Sequence, residues 1–326
     1  LPHLLIQLRG MLKQITGDVV YASKPLLTSF GIGLLKKWTG GKPLVLDIDD
    51  WQMGFMKENY GHLSLTHRLR HLAYSTLQPH RADSYWNNLF GEKLTRFSNE
   101  ITVSNNFLKR RFGGTIVWHA RDTEAFSPER FDKGSLREKY GIDRNKKVVM
   151  FFGTPRTHKG IEDLVQAISL LQGHDTMLAL AGADKSSYSQ NLTRLAEERL
   201  GGKFKAFGLQ PFGKVPEFLA MSDVIVIPQK RNLGTIGQVP AKVFDAMAMA
   251  KPIVATAVSN LPEILDGCGW IVEPESPEQL ATAIQHVIDH PVEAEQTGQK
   301  GRQKCIQEYS WKAMEKVLVS IFEKYE

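Results

Sequence analysis

Residues Phe151 to Gly160 read FFGTPRTHKG, an apolar pair and a glycine followed by Arg156, His158 and Lys159 crowded ahead of a second glycine. The run after Gly160 has apolar residues at helical spacing, so these cations stand where a helix begins. Free backbone N–H groups and the positive end of the helix dipole favour an anion there. Arginine grips phosphate with a planar fork and lysine adds a point charge. Gly153, ending the apolar run, lets the backbone turn and a ligand come close. Read alone, the stretch serves equally as a solvated strand-to-helix turn with ordinary surface cations. A second constellation is KRNLGTIGQVPAKVFDAMAMAKPIVAT, residues 230–256, where Pro240 suits the first turn of a helix and Asp245 falls inside it. A carboxylate at an exposed edge of that helix would accept two ribose hydroxyls while loop N–H groups hold phosphate. The other reading of Asp245 is a partner for a nearby lysine or a helix-face charge.

A third candidate is LVLDIDDW, an apolar run ending in Asp47, Asp49 and Asp50. Asp-x-Asp after a strand is how haloacid-dehalogenase-type phosphatases present a nucleophile and a general acid beside magnesium. That pattern wants Thr or Val at position 51, which is Trp, and its downstream lysine and acidic pair are not evident. His62, His67, His71 and His80 gather with Arg68, Arg70 and Arg81 in a helix-compatible region. The neighbouring cations favour a solvated basic surface over a metal site. His119 follows an apolar run and would simply face a cleft, and His158 is placed to touch phosphate.

These residues need a scaffold, and the chain supplies it by alternation. Apolar runs at 18–24, 44–48 and 101–103 are each followed by longer, helix-compatible stretches, the α/β pattern, and the run at 115–119 adds one more strand. A polar, charged segment over 120–147 reads as the inter-domain connection. A second alternation then places strands at 148–152, 177–182, 204–208, 224–228, 252–256 and 269–274. The tail, YSWKAMEKVLVSIFEKY, reads as a terminal amphipathic helix. A doubly wound sheet binds ligand at the carboxyl ends of its strands, where Gly153, Gly182 and Gly208 fall.

At 326 residues the chain suits two domains of ~150 residues. The expected division is 1–143, 144–310 and a closing helix at 311–326 that packs back on the first domain. With 42% hydrophobic and 23% charged residues, disorder is excluded. No run approaches the ~18 apolar residues that span a bilayer. Cys268 and Cys305 are the two cysteines, too few for a disulfide framework or a structural zinc site, which points to a reducing, cytoplasmic setting. The net charge of +6 lies wholly in the first half, where residues 1–143 hold 20 Lys and Arg against 14 Asp and Glu, while residues 144–326 hold 21 of each. A basic half suggests an anionic partner. The cluster Lys109, Arg110, Arg111 lacks the interleaved aromatics of nucleic-acid binders, so nucleic acid is not expected. The chain opens without an initiator methionine, on residues at helical spacing, so N-terminal elements are expected to be missing.

The ordered succession FFGTPRTHKGIEDLVQAI, LALAGA, FGLQPFGKVPEFLAMSDVIVIP and PAKVFDAMAMAKPIVATAVSNLPEIL resembles the C-terminal domain of group 1 (family four) glycosyltransferases of the GT-B fold, over residues 145–320. The resemblance implies two Rossmann-like doubly wound domains facing a cleft, the first incomplete at its N-terminus. It implies that Arg156 and Lys159 hold the diphosphate of a nucleotide-sugar, with Gly153, His158, Gly182 and Gly208 around it. The family's two acidic residues, one for the donor sugar and one for the ribose, map to Gly237 and Asp245. The second is a conservative replacement and the first departs from the pattern. Backbone N–H groups at Gly237, Gln238 and Val239 would then take phosphate or sugar hydroxyls, and Pro240 with Lys242 resembles a Pro-x-Lys variant of the motif. Asp49 occupies the place of a histidine that faces the donor sugar. Glu263 would line the donor pocket or serve structure alone. The family's glycine-rich loop after the first strand is absent. The activity implied is retaining transfer, without metal or other cofactor, from a nucleotide-diphospho-sugar to a glycan or lipid-pyrophosphate acceptor, with an anionic membrane surface as a further partner. The competing expectation is a non-catalytic sugar-nucleotide-binding subunit.

Overall fold

The protein is described by a computed structural model covering residues 2–173 and 175–326. Leu1, from the opening stretch, lies outside the described residues. The chain forms two compact units. One takes the chain up to Trp118 together with Asn232–Val239 and Glu315–Glu326; the other comprises His119–Arg231 and Pro240–Met314.

In the first unit, β1 (Val20–Ser23), β2 (Leu44–Ile48), β3 (Glu100–Val103) and β4 (Thr115–Ile116) pair in that order, all parallel. The helices are α1 (Pro2–Gln14), α2 (Phe30–Gly40), α3 (Gln52–Gly61), α4 (Leu65–Leu77), α5 (Tyr85–Leu94) and α6 (Asn106–Phe112). Val45, Leu46, Ile48 and Val103 are almost fully buried, as expected of strands covered on both faces. The fourth strand is shorter than the run TIVWH suggests, ending at Ile116.

The second unit holds α7 (Lys133–Lys139), β5 (Lys147–Phe152), α8 (Ile161–Leu170), β6 (Thr176–Ala181), α9 (Ser187–Leu200), β7 (Phe204–Ala206), α10 (Val215–Met221), β8 (Val224–Ile227), α11 (Lys242–Ala248), β9 (Ile253–Thr256), α12 (Leu261–Ile264), β10 (Trp270–Val272), α13 (Pro277–Asp289) and α14 (Pro291–Glu308). Its sheet runs β10-β9-β8-β5-β6-β7, parallel throughout. The order reverses between β5 and β8, which makes their carboxyl ends the switch point where such sheets open a crevice. Every strand of this sheet matches an apolar run read in the sequence. The closing helix is α15 (Trp311–Phe322), and from Glu315 onward its residues group with the first unit. There Lys324 pairs with Glu100 at 2.7 Å and the Phe322 ring lies 6.1 Å from that of Tyr21.

The sequence places a boundary after residue 143, whereas the contacts divide the chain after Trp118. The reason is a set of buried arginine anchors in the supposed connection. Arg137, 4% exposed, donates to the carbonyls of Met221, Arg144 and Lys146 and to Asp223 Oδ2 at 2.6 Å. Asp223 also accepts from the Val148 N–H, the second residue of β5, so α7 is tied to the root of the sheet. No helix among the described residues is long and apolar enough to cross a membrane.

Replacing Arg137 by alanine would strand those carbonyls in the interior and leave the half-buried Asp223 carboxylate with Lys133 alone. Losing one partner of a buried ion pair costs about 3–5 kcal/mol. The urea midpoint of the second unit should fall accordingly, and an unchanged midpoint would show that α7 does not anchor the sheet.

Candidate functional site

The FFGTPRTHKG turn leaves β5 at the switch point. Gly153 has φ +112°, and its amide donates to Ala181 O at 2.7 Å, holding the start of the turn against the end of β6. Gly182 follows β6 with φ +113° and passes so close that a Cβ there would lie 2.7 Å from the Gly153 carbonyl carbon. Its amide donates to Gly208 O at 2.7 Å. The three glycines expected at strand ends thus form one backbone ladder across β5, β6 and the segment after β7. At the far end of the turn, Gly160 has φ +62°, and a Cβ there would meet Pro228 O at 1.9 Å, beyond the end of β8. Glycine is required twice over at this position, by conformation and by space.

Between these glycines the cations are held by backbone. Lys159 Nζ donates to Thr154 O at 2.6 Å, and Arg156 Nη1 donates to Pro155 O at 2.6 Å and to Asp184 Oδ2 at 3.0 Å. Asp184, bound by the Ser186 hydroxyl and by Arg156, is held down to about 2 and stays ionised. Burial, then repulsion from Arg156, brings Lys159 down to about 8. Burial together with Lys159, Lys242 and Arg156 lowers His158 to about 4, so the imidazole is neutral at pH 7. No side chain caps the N-terminus of α8.

Lys242 belongs to this cluster. Its ammonium lies 3.7 Å from the centroid of the Phe151 ring and 5.6 Å from that of Phe152. A Cβ added to Gly153 would stand 3.2 Å from that ammonium, so Gly153 leaves room for it. Burial drives the Lys242 pKa well below its ordinary value, and Lys159 adds repulsion that Asp245 only opposes. Resting on an aromatic face favours the cation at such a partly buried position. The sequence marks this lysine through its Pro-x-Lys spacing but does not reveal its neighbours.

Asp245 does not stand at an exposed edge. It is 4% exposed, and Arg121 grips both oxygens, Nε on Oδ1 and Nη2 on Oδ2 at 3.4 Å. Burial pushes its pKa up, and Arg121 and Lys242 pull it back. Arg121 also donates to the carbonyls of Ala120 and Ala241, and its backbone exchanges hydrogen bonds with Tyr309 and Trp311. Sequence reasoning overlooked Arg121 because it lies in the polar stretch read as a connection. It also overlooked Asp184, an isolated acid beyond β6.

The segment Asn232–Val239 groups with the first unit. The N–H groups of Gly237 and Gln238 donate to Gly234 O and Thr235 O, so the structure spends on a tight turn two of the donors expected to be free for ligand. The Gly237 carbonyl accepts from Trp51 N at 3.1 Å, and a Cβ at Gly237 would lie 2.5 Å from that of Trp51. Gln238 Nε2 donates to Asp50 Oδ1 at 3.0 Å, and Val239 is buried. Asp50 is raised to about 6 by burial and by the charge of Asp49. Asp49 itself follows β2, pairs with Lys24 at 3.4 Å and leaves Oδ1 with no hydrogen-bond partner. Asp47 accepts from Thr102 Oγ1 at 2.7 Å, which ties the first acid of the Asp-x-Asp run to β3. Glu263 is exposed and accepts from Asn260 Nδ2 at 2.6 Å. The described residues contain no group of three or more His, Cys, Asp or Glu able to hold a metal ion.

Known proteins share both the sequence pattern and the fold. Alpha-maltose-1-phosphate synthase of Mycobacterium tuberculosis is 28% identical over 223 residues, 64% of this chain and 56% of that protein. A GDP-mannose-dependent alpha-(1-6)-phosphatidylinositol monomannoside mannosyltransferase of Mycolicibacterium smegmatis is 30% identical over 239 residues, 67% of this chain and 61% of that protein. The chain thus spans little more than half the length of these curated relatives. Among solved structures, sucrose-phosphate synthase of Thermosynechococcus elongatus superposes with a TM-score of 0.78 at 18% identity, over 99% of this chain and 77% of that one. Anabaena HepE in complex with UDP-glucose gives 0.77 at 17% identity, over 97% of this chain and 82% of that one. These likenesses give the chain the GT-B fold and leave no place for a haloacid-dehalogenase reading of LVLDIDDW. Residues 132–304, more than half of the chain, match the model of the glycosyl transferases group 1, and the protein belongs to that family.

Proposed function

We propose that this protein is a retaining glycosyltransferase that takes a sugar from a nucleotide-diphospho-sugar and passes it to a hydroxyl of a glycan or lipid-linked acceptor. The observation that carries the proposal is the cluster of Arg156, Lys159 and Lys242 at the carboxyl end of β5, beside an uncapped helix N-terminus. Such a cluster is costly without an anion, and a diphosphate supplies the charge it lacks. UDP-glucose in HepE and GDP-mannose in the name of the mycobacterial relative support a nucleotide-sugar donor. The phosphatidylinositol mannoside in that name supports a lipid-linked acceptor and, with the basic first half of the sequence, contact with an anionic membrane surface.

In the proposed reaction the acceptor oxygen attacks the anomeric carbon from the face that the diphosphate leaves. The bond from that carbon to the diphosphate oxygen breaks, and the acceptor proton passes to the departing diphosphate. No protein base and no metal enter these steps. The protein's contribution is charge already in place where charge develops on the leaving group, the largest single term in many enzymes. Lys159 and Lys242 face the diphosphate, Arg156 exchanges Asp184 for it, and neutral His158 offers a hydrogen bond. Asp245 takes the ribose hydroxyls by exchanging part of its two-oxygen clamp on Arg121 for them, as Arg156 exchanges Asp184, and Asp49 serves the sugar or acceptor. A subunit that only binds donor would show the same affinity without turnover, so turnover separates the two readings.

Calorimetric titration with UDP, GDP and ADP tests the site and identifies the base. One nucleotide should bind, and Arg156→Ala should weaken it about ten- to a hundredfold, the loss of one charge-assisted hydrogen bond. Asp245→Asn is a better probe of the ribose contact than Asp245→Ala, which would leave Arg121 buried without its partner. Retained affinity in both Arg156→Ala and Lys242→Met would remove the site from consideration.

The depressed Lys159 gives the binding a pH signature. A bound diphosphate raises the lysine's pKa above its free value of about 8. Affinity is therefore full below that pH and declines as pH rises through it, by up to about tenfold per unit, until the bound-state pKa is passed. Titrations from about pH 7 to about pH 9 should show the decline in the native protein and a much flatter profile in Lys159→Arg. Affinity that grows with pH would contradict the assignment.

A further inference from the structure

The histidine- and arginine-rich stretch noted in the sequence forms α4, and the proposed site does not use it. Only Ser75 of this helix is buried. Leu65, Leu69, Ala73 and Leu77 stand four apart, so they share one face, and the leucines are 71%, 59% and 79% exposed. At the end of that face Trp86 Nε1 of α5 donates to Thr76 Oγ1 at 2.9 Å. Its ring stacks on Phe90, centroids 6.0 Å apart, and Phe90 is 47% exposed. The ridge of leucines therefore runs on into an aromatic pair.

The charges around this apolar strip are of one sign. From Asn59 to Ala82 the sequence holds Arg68, Arg70 and Arg81 and no acidic residue. The two flanking carboxylates are engaged: Glu58 accepts from the Leu233 N–H and lies 3.1 Å from His62, and Asp83 pairs with Arg81 at 3.0 Å. Arg68 folds back along the surface onto the carbonyls of Gly61 and Leu63, whereas Arg70 stands beside the leucines, and both are exposed. A second copy of the same face would bring like charges together, which disfavours self-pairing. An apolar ridge edged by cations, with a tryptophan at its end, instead matches the boundary between anionic headgroups and acyl chains.

We propose that α4 and the adjoining Trp86–Phe90 face form a docking surface for an anionic lipid bilayer. The inference rests on the lipid-linked acceptor reading above only for its purpose; the surface itself is argued from the first unit alone. Docking inserts the leucines at the headgroup boundary and sets Arg70 among the lipid phosphates.

The test is co-sedimentation of the full chain with phosphatidylcholine vesicles, with and without about one third phosphatidylglycerol. Binding should require the anionic lipid and weaken several-fold as salt screens it. A triple variant, Leu65→Ser, Leu69→Ser and Leu77→Ser, should bind at least tenfold more weakly, and Arg70→Gln about fivefold. These side chains lie on the surface, so circular dichroism and nucleotide affinity should match the native protein. That control separates the two proposals, since failure of the nucleotide site leaves the vesicle result standing and the reverse also holds. Equal binding to neutral vesicles, absence of binding to either, or full binding by the triple variant would overturn the inference. So would concentration-dependent self-association that the triple variant abolishes, which would assign the ridge to a second copy.

Discussion

The second unit is organised around an ammonium that has nowhere comfortable to go. Lys242 lies against the face of Phe151, beside the backbone of Gly153, and shares its surroundings with Lys159, Arg156 and the imidazole of His158. Three of these groups are depressed by burial before repulsion is counted, and the carboxylates nearby neutralise only part of the charge. The arrangement persists because the sheet beneath it is rigid and dry: Val148, Val149, Met150 and Phe151 are buried to within 1%. Close-packed interiors do not yield to strain at one edge. Stability of the core is thus converted into an electrostatic field at the switch point, fixed before any ligand arrives.

That field also explains the order of the backbone. Glycines at 153, 182 and 160 bring three chain segments closer together than side chains would permit. The result is a crowd of amides and cations in a small volume at the ends of β5, β6 and β8. Preorganised donors cost no reorganisation when charge develops, which is why rigidity and catalysis are allied in such sites. Arg156 is the exception, held by Asp184 and half exposed, and its freedom to change partners makes it the adjustable member of the group.

Much of this was legible in the sequence because the signals are local. A parallel strand buried on both faces must be a continuous apolar run, so β5, β6, β8 and β9 announce themselves. A glycine, two cations and a helix start within ten residues likewise carry their meaning in their spacing. What could not be read is what depends on distant partners. Asp245 looks like an exposed helix residue until Arg121, 124 positions earlier, closes on it. Arg121 in turn sits in a polar stretch whose composition suggests a linker, yet Arg137 and Arg302 bind that stretch to the second unit through backbone carbonyls. Burial of a charge is decided by the pairing it finds, and composition alone does not report pairing.

Gly237 shows the same limit from the opposite side. The sequence reveals that a carboxylate is absent from the first position of the acidic pair, but not why. Trp51 supplies the reason. Its backbone N–H donates to the Gly237 carbonyl, its Cβ occupies the space into which any side chain at 237 would grow, and its ring is fixed by Phe107 at 5.0 Å and by Arg111 at 4.6 Å. A carboxylate at 237 and a tryptophan so placed exclude one another. The chain keeps the tryptophan, seats Ile236 against the first unit's core, and then passes into the second unit between Val239 and Pro240. Seven residues separate Gly237 from Asp245, and within them the chain changes from a packing element of one unit to the wall of the cationic site in the other. The side chain missing at one end of that stretch lets two backbone segments of the first unit pack closely, while Lys242, near the other end, carries the charge.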